Sequence, residues 1–200
     1  MVTEFYGKIT IKPEIRLLGI DDSKLIKKDV LIIGTVFRGG HWLDGVIRTT
    51  ITKDGMDGTE KLIDMIINSR HYKQVRAIIL DGITYAGFNI LNIKKLYTET
   101  NIPVIVIMRK KPDFKKIKKA LSNLAYIEER WKLLRNAGEV IEVFTRDTRK
   151  PIYIQCAGLQ KEDAIKIVKM SSTRSNIPEP LRAAHLIATG VICGESKKRA

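Results

Sequence analysis

The hydrophobic pattern of this chain changes period near residue 57, and this change constrains the fold more than any other feature. Before it, alternating or wholly apolar segments predict three strands at residues 14–21, 29–37 and 44–52, joined by short polar or Gly-rich connections. After it, apolar residues recur at helical spacing over residues 59–70. The chain is therefore expected to begin as an antiparallel meander and to continue as an α/β succession.

The rest of the chain alternates short apolar strands with helices. The predicted elements are strands at 75–80 and 104–108, a helix at 87–99, one helical stretch at 112–137, strands at 140–144 and 152–156, and helices at 161–171 and 179–192. A three-stranded antiparallel meander continued by parallel strands, with helices on both faces, is the mixed sheet of the ribonuclease H-like fold. We expect a single domain over residues 1–200, with a flexible basic tail at about 195–200.

The charge of the chain predicts a polyanionic partner. Lys and Arg number 36 against 22 Asp and Glu, which gives a formal net charge of +14. A dense basic run follows the strand at 104–108 and comprises Arg109, Lys110, Lys111, Lys115, Lys116, Lys118 and Lys119. Such a run fits either phosphate contact or a solvated helix face. No apolar stretch has the length of a membrane span, so we expect a cytoplasmic protein with no membrane partner.

Four residues are candidates for a metal site because of where they stand. Asp21 ends the first strand, Asp57 precedes a helix, Asp81 ends a buried strand, and His185 closes the segment IPEPLRAAH. Carboxylates at strand and helix ends can converge on a divalent cation, and oxygen ligands suit Mg²⁺ or Mn²⁺. Each residue also has a plainer interpretation: a turn for Asp21 and Asp81, a helix cap for Asp57, and a packed side chain for His185.

The order of these segments is similar to that of a known family. The segments are Gly19-Ile20-Asp21, Asp57-Gly58-Thr59, Asp81-Gly82, the strand IPVIVIMRK with Arg109, and IPEPLRAAH with His185. They resemble endonuclease V, the metal-dependent enzyme that nicks nucleic acid beside deaminated bases. They resemble more closely an archaeal relative family of deoxyuridine-type endonucleases. The last segment is the most specific, and Asp57 stands where endonuclease V has a glutamate.

The resemblance implies roles for these residues. Asp21 and Asp81 would be direct ligands of Mg²⁺ or Mn²⁺, and Asp57 a ligand or a water-positioning group. His185 would be a fourth ligand or a proton-transfer group, and Arg109 or Lys110 would stabilise charge on the scissile phosphate. Their neighbours Asp22 and Asp54 could take over a ligand role from Asp21 or Asp57.

Departures from the endonuclease V pattern concern the substrate. The aromatic wedge that precedes the second acid in that family is absent from residues 46–56. A base-sized pocket could instead be built from Gly82, Tyr85 and Gly87, with Phe88 or Asn89 contacting an extruded base. Ordinary packing is the other interpretation of Tyr85 and Phe88.

Two further groups are candidates for contact with nucleic acid. Arg38 and Trp42 flank a Gly-Gly turn, and the basic run offers Lys110, Lys111 and Lys115. The sequence thus predicts a Mg²⁺- or Mn²⁺-dependent endonuclease for damaged or deaminated nucleic acid, DNA rather than RNA, with deoxyuridine first and inosine second. The alternative is a nucleic-acid-binding protein that keeps the nuclease fold without its activity.

Overall fold

The structure is a computed structural model that describes residues 9–26 and 28–196. Seven strands form one sheet in the order β3-β2-β1-β4-β7-β9-β8. They are β1 (Arg16–Asp22), β2 (Asp29–Arg38), β3 (Trp42–Thr52), β4 (Ala77–Asp81), β7 (Val104–Met108), β8 (Ile141–Val143) and β9 (Ile152–Ala157). A separate hairpin pairs β5 (Thr84–Tyr85) with β6 (Asn89–Ile90). Of the predicted basic tail, residues 197–200 lie outside the described residues.

The sheet is mixed in the way that the pattern predicts. β1, β2 and β3 form an antiparallel meander, and β1, β4 and β7 run parallel at its centre. β9 then returns antiparallel to β7 and pairs with β8. The carboxyl ends of β1, β4 and β7 therefore meet along one edge, where open α/β sheets usually place their ligand sites.

Helices cover both faces of the sheet, as predicted. They are α1 (Gly58–Ile67), α2 (Ile93–Thr100), α3 (Phe114–Leu121), α4 (Ile127–Arg135), α5 (Lys161–Ser171) and α6 (Glu179–Cys193). The first four add apolar residues to a core on one face, and α5 and α6 add theirs to the other. Within the described ranges, none of the helices combines the length and the apolar character needed to cross a membrane.

The helix predicted at 87–99 begins later, because residues 84–90 form the β5–β6 hairpin. Gly87 has φ +87°, and a Cβ atom there would lie 2.3 Å from Oδ1 of Asp54. That same oxygen accepts a hydrogen bond from the amide of Phe88 at 2.8 Å. Helix α2 starts at Ile93, where Asn92 caps it by accepting from the amide of Lys95.

The single helix predicted over 112–137 is two helices, α3 and α4. The chain turns between them at Tyr126, whose φ is +58°. The buried Arg130 holds this arrangement by donating to the backbone carbonyls of Ala125 (2.9 Å), Asp54 (2.6 Å), Gly55 and Phe88. One guanidinium thereby ties α4 to the loop after β3 and to the β5–β6 hairpin, a role that the helical pattern did not reveal.

Helix α6 lies against β1 because a glycine lets it approach. A Cβ atom on Gly19 would lie 2.4 Å from the carbonyl carbon of Pro180, so a larger residue would push the start of α6 away. The hydroxyl of Thr35 on β2 also donates to the carbonyl of Pro180 at 2.6 Å. These contacts fix the direction in which α6 runs past the carboxyl end of β1.

Candidate active site

A cavity of about 820 Å³ opens at the carboxyl ends of the parallel strands. Asp21 and Asp81 follow the paired segments of β1 and β4, and Arg109 follows β7 directly. His185 reaches the cavity from α6. The lining residues are Asp21, Asp22, Ser23, Lys24, Ile26, Asp81, Arg109, His185, Thr189 and Cys193. The structure thus brings together four of the five residues for which catalytic roles were predicted.

Asp21 and His185 are joined directly. Oδ2 of the buried Asp21 lies 2.9 Å from Nδ1 of His185. This hydrogen bond, reinforced by the negative charges of Asp21 and Asp81, raises the pKa of His185 although burial opposes the shift. When Asp21 is ionised, Nδ1 carries the shared proton. Nε2 is shielded and has no hydrogen-bond partner among the described residues, which leaves it able to bind a cation or carry a proton.

Asp22 lies beside Asp21 and is the third carboxylate of the cavity. Its Oδ2 accepts a hydrogen bond of 2.6 Å from the amide of Ala86 in the β5–β6 hairpin. Burial, together with the negative charges of Asp21 and Asp81, raises the pKa of Asp22 to about 6 despite that hydrogen bond. Asp22 therefore exchanges a proton close to neutral pH when no cation offsets the surrounding charge.

Asp81 is held by Arg109. Nη1 of Arg109 lies 2.7 Å from Oδ1 and 2.9 Å from Oδ2 of Asp81. Burial and the charge of Asp21 raise the pKa of Asp81, while Arg109 acts in the opposite direction. Among the described residues, no three His, Cys, Asp or Glu side chains are already arranged as a metal site. Both oxygens of Asp81 face Arg109, so the arginine competes with a cation for this carboxylate.

Asp57 is not among the residues that line this cavity. Its carboxylate accepts hydrogen bonds from the amide and hydroxyl of Thr52 and from Nδ2 of Asn89, the last at 2.7 Å. Burial alone would raise the pKa of Asp57, but these hydrogen bonds outweigh burial and lower it. The structure gives Asp57 a visible role in closing the loop between β3 and α1. Its role as a metal ligand stays a prediction.

The structure favours packing over base contact, the two interpretations that the sequence left open for Tyr85. Tyr85 is 1% exposed, and its hydroxyl donates to the carbonyl of Ile20 at 2.7 Å and accepts from the amide of Asp81 at 3.0 Å. Its ring has no face left for a base, because it packs in the core and ties the ends of β1 and β4 together. Gly82 follows Asp81 with φ +83°, and its contact with nucleic acid stays a prediction.

The predicted nucleic-acid contacts lie at two ends of the molecule. Lys110 and Lys111 are exposed directly after Arg109, and Lys115 is exposed on α3, so these lysines flank the cavity along the chain. Arg38 pairs with Arg16 at the start of β1, whereas Asp21 and Asp22 end that strand. Arg38 and the neighbouring Trp42 therefore lie at the opposite end of the sheet from the cavity.

Sequence reasoning missed several residues of the cavity wall. Thr189 and Cys193 line it together with His185, and they follow His185 at intervals of four on α6. The hydroxyl of Thr189 donates to the carbonyl of His185 at 2.7 Å. Helical spacing from His185 would have identified both residues. No comparable signal marked Lys24 and Ile26, which the loop after β1 places there.

Close relatives of this chain come from archaea. A sequence model of the family described as Endonuclease dU matches residues 13–192. A UPF0215 protein of Methanosarcina mazei is 56% identical over 190 residues, which cover 95% of this chain and 97% of that protein. The crystal structure of a protein of unknown function from Archaeoglobus fulgidus matches with a TM-score of 0.80 at 42% identity. That match covers 88% of this chain and 97% of the Archaeoglobus chain.

A more distant likeness concerns the fold alone. Ciona intestinalis endonuclease V, in complex with a DNA containing an inosine, matches with a TM-score of 0.61 at 15% identity. The match covers 90% of this chain and 86% of that chain. The prediction of a ribonuclease H-like fold is thereby confirmed. Because the Endonuclease dU match spans nearly the whole chain and the Methanosarcina relative exceeds half identity, the chain belongs to the endonuclease dU family.

Proposed function

We propose that this protein is a divalent-cation-dependent endonuclease that cuts nucleic acid containing a deaminated base. The observation that carries the proposal is the cavity at the ends of β1, β4 and β7, where three carboxylates and an imidazole lie together. In a chain with a formal charge of +14, this local excess of negative charge needs a specific reason. A site that binds a cation between the protein and a phosphodiester supplies that reason.

The residues of the cavity fit Mg²⁺ or Mn²⁺. Asp21, Asp22 and Asp81 supply oxygen ligands of the kind that hard cations prefer. Nε2 of His185, on the same cavity wall, has no hydrogen-bond partner among the described residues. The raised pKa values of Asp22 and Asp81 mean that their charged forms are disfavoured as the site stands. In this assignment Asp22 takes the third carboxylate position in place of Asp57. The bound cation would supply Lewis-acid activation of water and neutralisation of the leaving oxygen.

The protein groups around the cavity divide the remaining work. Asp21 orients the imidazole of His185 through Nδ1, so that the shielded Nε2 is the ring nitrogen left to bind a cation or carry a proton. Arg109 stands at the rim, 45% exposed at its side chain, and can exchange Asp81 for the scissile phosphate. Lys110 and Lys111 extend the same positive rim and would bind flanking phosphates, while Lys115 continues it on α3.

Deoxyuridine in DNA is the proposed first substrate and inosine the second. Membership of the endonuclease dU family supports the first, and the fold shared with an endonuclease V bound to inosine-containing DNA supports the second. DNA is proposed ahead of RNA for the same reasons. The test is a single-turnover nicking assay on otherwise identical strands that carry uracil, hypoxanthine or only normal bases, with Mg²⁺ or Mn²⁺ and with EDTA.

Two observations favour a second candidate, a nucleic-acid-binding protein without nuclease activity. Arg109 already occupies both oxygens of Asp81, and Asp57 is absent from the cavity wall. If that candidate is right, wild type and Asp21→Ala will bind DNA equally, and neither will bind Mn²⁺ or nick any strand. Nicking by wild type that Asp21→Ala and Asp81→Ala abolish, with the fold retained by circular dichroism, supports the nuclease.

A further inference from the structure

A second polar cavity, of about 520 Å³, lies at the other end of β1 from the acidic one. Its lining residues are Arg16, Arg38, Asp44, Arg70, His71 and Gln74. Arg16 and Arg38 are direct cross-strand partners on β1 and β2. Arg70 and His71 come from the turn that follows α1. We call this group the arginine pocket.

The arginine pocket holds more positive charge than it neutralises. Three guanidinium groups line it, and Asp44 is the one carboxylate among the described lining residues. Asp44 accepts from Nε of Arg38 at 3.0 Å, while Nε of Arg16 lies 3.5 Å from its other oxygen. That Nε of Arg16 is shielded from solvent without a hydrogen-bond partner in the part of the chain described. Asp44 offsets one of the three formal positive charges, so a surplus of about two remains.

The third arginine is placed by a packed histidine. His71 is buried, and its Nε2 accepts a hydrogen bond of 3.3 Å from Nε of Arg70. The histidine fits against β3 because residue 45 is glycine, where a Cβ atom would lie 2.5 Å from Nε2. Arg70 is thus oriented by core packing, and in the described part of the chain its terminal nitrogens make no hydrogen bond of their own.

We propose that the arginine pocket binds a phosphate group. Guanidinium groups are the side chains best suited to paired hydrogen bonds with phosphate oxygens, and three converging guanidiniums exceed what Asp44 needs. On β1, Arg16 stands five residues before Asp21, about 17 Å along an extended strand, and this odd separation places the two side chains on opposite faces of the sheet. A nucleic-acid strand held at the cavity beside Asp21 would need several further nucleotides to bring a phosphate to the arginine pocket. That source rests on the proposed function, whereas the phosphate chemistry does not.

The first test uses inorganic phosphate and needs no nucleic acid. Arginine Nε–Hε signals are followed by NMR while phosphate is added to wild type, Arg70→Gln and a control, Arg48→Gln. Arg48 is exposed on β3 and pairs with Ile33, which packs against α6 on the other face of the sheet. We expect saturable shifts at Arg16, Arg38 and Arg70 in wild type and in the control. Binding about 10-fold weaker is expected in Arg70→Gln. Shifts that do not saturate, or that the two variants weaken equally, overturn the proposal.

The second test separates the two sources of phosphate. Binding of short and long single strands is measured in EDTA, so that cleavage plays no part. If the strand supplies the phosphate, Arg70→Gln weakens binding of the long strand alone, and its salt slope falls by about one relative to Arg48→Gln. If the pocket takes free phosphate, both strands bind Arg70→Gln and Arg48→Gln alike while the NMR difference persists. If the wild type nicks no strand while the NMR difference persists, the nuclease is refuted and the phosphate site in the arginine pocket is not.

Discussion

One nitrogen of Arg109, Nη1, lies within 2.9 Å of both carboxylate oxygens of Asp81. The pair joins the ends of two neighbouring parallel strands, β4 and β7. Asp81 is a proposed cation ligand and Arg109 a proposed phosphate contact. In this state the two side chains bind each other instead of the cation and the phosphate. Cation and phosphodiester should therefore bind cooperatively, because each releases the residue that the other needs.

Removing the arginine should make cation binding easier and cutting slower. In Arg109→Gln, Asp81 loses its competing partner, and we expect Mn²⁺ affinity to rise about 5-fold, as suits a half-exposed ion pair of about 1 kcal/mol. Nicking should fall about 100-fold, because the phosphate loses a charged donor. Calorimetry and single-turnover kinetics measure the two effects. Lys110→Gln is the matched control and should leave Mn²⁺ affinity unchanged; weaker Mn²⁺ binding by Arg109→Gln would show that the arginine does not compete.

The raised pKa of Asp22 predicts that the cation-free protein loses free energy of unfolding as Asp22 ionises. The folded-state pKa is about 6 against an ordinary value of 3.8, so folding favours the protonated form. The stability contributed by this group is present below about pH 4 and is lost as the pH rises through 6. Asp22→Asn should therefore raise the free energy of unfolding by roughly 1–3 kcal/mol at pH 7.5 in EDTA and change it little at pH 4.

Urea unfolding at the two pH values measures this effect, with Asp29→Asn as control because Asp29 is exposed at the start of β2. Excess Mg²⁺ should reduce the gain at pH 7.5, since the cation stabilises the charged cluster of the wild type. A gain that is equal at both pH values would instead point to a packing effect of the amide, unrelated to proton binding.

The parts of this molecule that sequence could predict are those set by local pattern. Asp21 and Asp81 end apolar strands, and parallel pairing of β1 with β4 then brings them to one edge. His185 was predicted from the resemblance of its segment to a family motif, and Gly19 explains how α6 delivers it. Predicting that these residues belong to the site required no information on tertiary contacts beyond the order of the strands.

The parts that sequence could not predict depend on contacts between distant loops. The hairpin at residues 84–90 replaces a predicted helix turn because Asp54, far away in the chain, accepts from the amide of Phe88. The sequence marks Arg130 as an ordinary helix residue, yet its side chain is buried and donates hydrogen bonds to four backbone carbonyls. Asp57 occupies the motif position of a ligand while its carboxylate faces Thr52 and Asn89. Propensity and spacing carry no information on any of these pairs.

The link between Asp21 and His185 can be tested by titration. The hydrogen bond from Nδ1 to Asp21 is the largest cause of the raised pKa of His185, so Asp21→Asn should lower that pKa toward its ordinary value of 6.5. Arg109→Gln should raise it further, because the positive charge of Arg109 acts against the imidazolium. The chain has three histidines, and His185→Gln assigns the relevant NMR signal.

The same hydrogen bond sets the direction of a stability effect. A histidine with a raised folded-state pKa stabilises the fold fully below its unfolded pKa, and this contribution disappears as the pH rises through the folded value. Wild type should therefore lose its advantage over Asp21→Asn across that window. An unchanged pKa of His185 in Asp21→Asn would mean that the two side chains are not paired in solution.

Asp57 offers the sharpest choice between a ligand and a structural residue. In Asp57→Asn, the new amide group meets Nδ2 of Asn89, a donor, where a carboxylate oxygen now accepts at 2.7 Å. We expect the free energy of unfolding at pH 7 to fall by about 1–2 kcal/mol, with Mn²⁺ affinity unchanged. Because the pKa of Asp57 is lowered on folding, the loss should shrink as the pH falls below the ordinary value of 3.8.

Thr52→Val, which removes one of the donors to Asp57, should produce a smaller loss of the same kind. Urea unfolding and Mn²⁺ calorimetry on both variants decide the matter: unchanged stability with a large loss of Mn²⁺ affinity in Asp57→Asn would return this residue to the cation site.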